Sequence, residues 1–230
     1  VGFGGGSTYL ALMLIWGIPY QIFPVIALCC NIIVVSGNCL NYTKAGNLKF
    51  KILTPFLIGS IPFAYLGGSI HVEKFIFEIL LFIVLLIAGM LLLFNFKTYD
   101  DNQKNYKKIS RILSIIIGVI IGFISGIVGI GGGIFLSPIL FLTRSCKPKY
   151  IVTITSFFIL ANSIFGVAGQ LTKNIVINEL LNYWYLLFAV LIGGQVGNFL
   201  NLKIFNSRIL ALITAFVVIF VSIRMGVRFF

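Results

Sequence analysis

Between Arg111 and Arg144 the chain runs through 32 residues, 112–143, without one charged side chain. As a straight helix at ~1.5 Å per residue that stretch would reach ~48 Å, well beyond the ~30 Å hydrocarbon core of a bilayer. In its middle stands Gly126-Ile127-Val128-Gly129-Ile130-Gly131-Gly132-Gly133, five glycines in eight positions. Glycine costs about 1 kcal/mol per residue inside a helix, so a cluster of glycines ends it. The element divides into arms 112–125 and 134–143, ~21 and ~15 Å long, each too short to cross alone. The spacing predicts two half-helices that enter and leave on one face, with the glycine break deep in the membrane.

Six further apolar runs, at 20–42, 52–70, 75–96, 150–171, 180–202 and 207–228, are each near the ~20 residues of a crossing helix. With 60 % of residues hydrophobic and 10 % charged, against roughly 25 % charged in soluble domains, there is too little charge to cover a soluble surface. The chain reads as a multi-pass protein of the cytoplasmic membrane with the lipid bilayer as its solvent. Disordered, coiled-coil and disulfide-stapled classes fall with the same observation. The net charge of +12 fits cytoplasmic loops rather than nucleic acid, because no basic stripe interleaves with aromatic residues.

The glycine element occurs twice. Val1-Gly2-Phe3-Gly4-Gly5-Gly6 matches Val128-Gly129-Ile130-Gly131-Gly132-Gly133 at five of six positions, offset by 127. Thr43-Lys44 and Thr172-Lys173 form a similar pair, as do Gly67 and Gly197. The duplication divides the chain into a first repeat over 1–96, a polar cytoplasmic linker over 97–111 and a second repeat over 112–230. The first repeat is expected to lack its first half-helix. The opening residues include neither an initiator Met nor a positive n-region, so they do not read as a signal peptide.

Charge orients the halves. If the glycine elements re-enter, thirteen Lys and Arg fall on one side and four, Lys74, Lys173, Arg224 and Arg228, on the other. If residues 112–143 crossed once, the split would be 11 to 6. The positive-inside rule favours the hairpin. The fold class expected is an all-α polytopic membrane protein of two inverted repeats. Each repeat has a Gly-broken re-entrant helical hairpin and three transmembrane helices, an architecture of secondary transporters.

A half-helix that starts after Gly133 aims unpaired N–H groups and its positive dipole end at the break. Bare glycines let an anion approach that backbone. Gly131, Gly132 and Gly133 form one such cradle, and Gly4, Gly5 and Gly6 with Ser7 the other. The polar residues inside spans add neutral donors. Thr155 and Ser156 share a helix face with Asn162 and Ser163 at i, i+7; Asn31 and Asn38 do the same, and Gln195 lies one turn from Asn198. Interhelical hydrogen bonding is the competing use of each of these groups.

The acids Glu73, Glu78, Asp100, Asp101 and Glu179 all fall in loops or at span ends, which argues against a carboxylate proton relay. His71 is expected at the interface, and Cys29, Cys30, Cys39 and Cys146 as reduced packing residues, so no metal or cofactor is expected. No arrangement for hydrolysis lies within the spans, and an enzyme is not expected.

The motif Gly126 to Gly133 followed by Pro138, together with Gly193-Gly194-Gln195-Val196-Gly197-Asn198-Phe199-Leu200, resembles the paired signatures of the TauE/SafE sulfite exporter family. Gly59-Ser60-Ile61-Pro62 with Gly67-Gly68 resembles the first-half version of the second signature. Asn198 and Ala11 depart from the pattern, where members often carry Arg and Pro. The resemblance covers nearly the whole chain and implies an anion permease for sulfite, organosulfonates or related sulfur oxyanions. The partner expected is a small anionic substrate moved by alternating access. A passive anion channel and a non-transporting membrane assembly factor stand as alternatives.

Overall fold

The computed structural model describes residues 5–95, 109–143, 145–173, 183–203 and 207–229. Among them the chain is α-helical throughout its regular elements, with no strand. The helices are α1 (Gly6–Ile15), α2 (Phe23–Lys44), α3 (Phe50–Ser69), α4 (Lys74–Asn95), α5 (Arg111–Val128), α6 (Gly133–Leu142), α7 (Pro148–Gln170), α8 (Trp184–Lys203) and α9 (Ser207–Phe229). Five of these, α2, α3, α4, α5 and α7, are long and apolar enough to cross a membrane. Proline starts two of them: α2 and α7 each carry one in the first helical turn, where its missing N–H leaves no bond unmade.

A glycine seam joins α3 to α5. A Cβ on Gly118 would overlap the Phe56 carbonyl, one on Gly122 the Ser60 carbonyl, and one on Gly126 the Ala64 carbonyl. From the other side, Gly59 meets Ile115 and Gly67 meets Phe123. Both numbers rise together along the seam, so α3 and α5 run in the same direction. Without a hydrophobic drive between helices in lipid, such backbone approach is what holds them. Gly68 and Gly169 extend the seam to α7. At the far end, before α3 begins, Lys49 Nζ lies 4.9 Å from the centre of the Tyr150 ring in the first turn of α7.

The first arm of the central element is longer than its sequence suggests. The expected 112–125 is an 18-residue helix reaching Val128, which by length and composition is one of those able to cross. Gly126 does not break it, because this glycine is packed against α3 rather than free to unwind. The break begins at Gly129, and α6 follows as 10 residues, close to the 134–143 expected.

The order of helix lengths recurs. From α1 to α4 it is 10, 22, 20 and 22 residues. From α6 to α9 it is 10, 23, 20 and 23. The packing partners recur with it: α1 lies on α2 and α9, while α6 lies on α7 and α4. Helices α2 and α7 pack on each other at the centre, and α4 on α9 at the side. Ser222 Oγ donates to the Phe82 carbonyl across that second pair at 3.3 Å. The four cysteines are free thiols, three buried and Cys29 half-buried.

Candidate functional site at the crossing of two helix breaks

Gly129, Gly131 and Gly132 hold φ of +88°, +79° and +82°. This left-handed region costs an L side chain about 1–2 kcal/mol, so the break requires glycine. The loop they form carries the backbone inward from Pro24, which Gly129 touches, to Asn31 and Ser163, which flank Gly131. Gly132 is the N-cap of α6 and supplies no side-chain cap. The first N–H groups of α6 thus end in the bundle interior without one.

The first glycine run arrives at the same place. A Cβ on Gly6 would overlap the Ile130 carbonyl and stand 2.9 Å from Asn31 Nδ2. Gly6 and Gly131 therefore both stand against the amide nitrogen of Asn31. Asn31 Nδ2 donates to the Ile130 carbonyl at 3.2 Å, which pins the loop to α2.

Around this crossing, polar side chains are buried without partners. Asn31, Asn162 and Ser163 each have 0 % exposure. Asn31 Oδ1, both amide atoms of Asn162 and Ser163 Oγ make no hydrogen bond within the protein. Asn162 stands one turn from Ile159, whose Cγ2 meets the Gly131 position, so it shares the face of α7 turned to the break. An unpaired buried amide or hydroxyl costs about 1–3 kcal/mol. Several at one point form a costly arrangement that a bound oxyanion would offset. Ser125 and Ser137, in the last turn of α5 and the second turn of α6, add two more unpaired hydroxyls.

The other sequence candidates separate. Ser7 is buried beside Gly6 in the first turn of α1. The hydroxyls of Thr155 and Ser156 donate to the Ile151 and Val152 carbonyls of their own helix, at 2.9 and 2.8 Å. They lie one turn before Ile159 on α7, with their donors spent within the helix. Asn38 lines a different cavity, of about 150 Å³, between α2 and α8 with Asn41 and Gly194. A Cβ on Gly132 would meet Ile121 and Phe158, and one on Gly5 the Tyr9 ring; these two shape the backbone and do not open on the polar cluster. Gly133 begins α6. Gly4 and the side chain of Gln195 lie outside the described residues.

On one side of the crossing a cavity of about 170 Å³ is lined by Tyr20, Gln21, Pro24, His71, Gln170 and Lys173, with Ile127 from α5. Gln170 is buried, and both polar atoms of its amide are bonded. Its Nε2 donates to the Gly126 carbonyl at 2.8 Å, and its Oε1 accepts from Lys173 Nζ at 3.0 Å. Sequence reading used Lys173 as a loop charge and a marker of the repeat, not as a site residue, and passed over Gln170, Ser125 and Ser137. Lone polar residues in or beside apolar runs have no pattern to distinguish them.

Among the described residues no group of three or more His, Cys, Asp or Glu could hold a metal. The family described as Sulfite exporter TauE/SafE matches residues 1–225. The protein named "Probable membrane transporter protein y4hK" of Sinorhizobium fredii is 26 % identical over 224 residues, covering 93 % of this chain and 86 % of that protein. No solved structure matches the chain. With a match across nearly its whole length, apolar helices able to cross a bilayer and both glycine runs meeting inside the bundle, the chain belongs to the TauE/SafE sulfite exporter family of multi-pass membrane transporters.

Proposed function

We propose that the protein moves a small anion, a sulfur oxyanion such as sulfite or an organosulfonate, across the cell membrane by alternating access. The observation that carries this reading is the set of unpaired buried groups on Asn31 and Ser163, which flank Gly131, and on Asn162, next to Ser163 on α7. Neutral amides and hydroxyls beside a helix N-terminus replace the hydration of an oxyanion without neutralising it, so the anion can also leave. The working parts are two inverted repeats, 1–96 and 112–230, joined by a cytoplasmic linker over 97–111. The recurrence of helix lengths and of packing partners supports that division.

The re-entrant path of residues 111–143 is part of the same reading. Helix α5 runs with α3 away from Lys49, and α7 begins again beside Lys49; a chain that returns to its starting end fits a hairpin. Single cysteines at positions 111, 147 and 173, in a background without the native four, are expected to label with an impermeant thiol reagent from two sides. Positions 111 and 147 should react together from the cytoplasm and 173 from outside. Opposite labelling of 111 and 147 contradicts the hairpin.

Binding is tested on the purified protein by thermal unfolding with sulfite, sulfate, thiosulfate, sulfoacetate and taurine. A ligand at a hundredfold excess over its Kd raises apparent stability by about 2.7 kcal/mol. At least one of these anions should do so, with chloride as the control. No shift with any of them contradicts the assignment.

A further inference from the structure

We propose that the cavity beside the crossing, framed by Lys173, His71, Gln21 and Tyr20, is a second oxyanion site, an outer vestibule that captures the anion before it reaches Gly131. The proposal rests on the oxyanion-carrier reading above and adds to it a site that is separate in place and chemistry. The inner cluster is neutral; this one is cationic.

Lys173 is half-buried in the turn after α7, and among the described residues it faces no carboxylate. Among the described residues its side chain bonds Gln170 Oε1, at 3.0 Å. An ammonium has three donors, so two remain for a ligand. Burial without a counter-charge lowers the Lys173 pKa from 10.5 to about 8; an anion beside it would raise it again. The other titratable groups facing the cavity are His71 and Tyr20, and none is acidic.

Gln170 is a positioning residue. Held by the Gly126 carbonyl on one side and holding Lys173 on the other, it fixes the ammonium over the end of α5, three residues before the break at Gly129. The first turn of α2 closes the cavity with Pro24, and its N-cap, Ile22, gives no side-chain bond. That helix end adds partial positive charge to the same space. A cavity of about 170 Å³ has room for a tetrahedral or pyramidal oxyanion. Ile127 in the wall makes the cavity continuous with the last turn of α5.

Sulfate is the probe, because it keeps one charge state across the pH range used. Titrations use Asn162→Leu protein, in which the inner site is weakened and the dependence on Lys173 is read against it. In that background sulfate should still bind, with affinity falling about tenfold per pH unit above pH 8 as Lys173 loses its proton. Lys173→Gln should weaken binding at least tenfold at pH 7 and remove the pH dependence above 8. Lys173→Arg, always charged, should restore binding and keep it at pH 9. Undiminished sulfate binding by folded Lys173→Gln protein, or an unchanged pH profile, overturns the vestibule. Flux separates this failure from failure of the carrier reading. If Lys173→Gln transports with wild-type KM while Asn162→Leu loses flux, the vestibule falls and the carrier stands. If sulfate binds through Lys173 and no sulfur oxyanion is carried, the vestibule stands and the carrier falls.

Discussion

Replacing Asn162 by Leu is expected to stabilise the protein and to lower sulfite flux between about ten- and a hundredfold. The two effects have one cause. Asn162 is fully buried, and neither atom of its amide has a partner within the protein. An apolar side chain of similar size removes an unmet desolvation cost of about 1–3 kcal/mol. The same change takes away donors that a bound oxyanion would use, each worth about 1.5–3 kcal/mol toward a charged group. Were Asn162 a structural residue, stability and flux would fall together. Thermal unfolding and proteoliposome flux on the same preparation decide between these outcomes. Ser163→Ala should follow the same pattern with a smaller loss, since it carries one donor.

Gly131→Ala is expected to abolish transport, whereas Gly46→Ala leaves it intact. Both glycines hold positive φ, +79° and +66°, so Ala costs both about 1–2 kcal/mol of backbone strain. Their surroundings differ. A Cβ at Gly46 meets nothing within 4 Å, while at Gly131 it would stand 2.8 Å from Asn31 Nδ2 and 3.2 Å from Ser163 Oγ. Comparable loss of stability with divergent flux would place the effect at the polar cluster. Gly6→Ala approaches that cluster from the first repeat, and its Cβ crowds both the Ile130 carbonyl and Asn31. It should lose transport as Gly131→Ala does. Equal flux from Gly131→Ala and Gly46→Ala would leave the break a purely structural role.

The break itself was legible because five glycines in eight positions admit few helical readings. The length of the arm before it was not. Gly118, Gly122 and Gly126 look like weak points in one dimension and are seats for α3 in three. Helical periodicity likewise put Asn31 and Asn38 on one face of α2. Seven residues is ~10.5 Å along a helix, however, and that distance places them in different layers. One meets the break and the other the cavity against α8. Lys173 was visible only as a loop charge and a marker of the repeat, because its cavity is assembled from segments far apart in sequence, at the ends of α3, α5 and α7 and the starts of α2 and α4.

The central claim is tested most directly by counterflow. Proteoliposomes loaded with unlabelled sulfite are diluted into a trace of radiolabelled sulfite, and internal label is followed with time. A carrier that alternates between two faces predicts a transient overshoot of label above equilibrium, saturable in sulfite and about ten- to a hundredfold slower to develop in Asn162→Leu protein. Label that rises to equilibrium without overshoot, in proportion to concentration, would mark a passive pore, and no uptake above protein-free vesicles would contradict sulfite transport altogether.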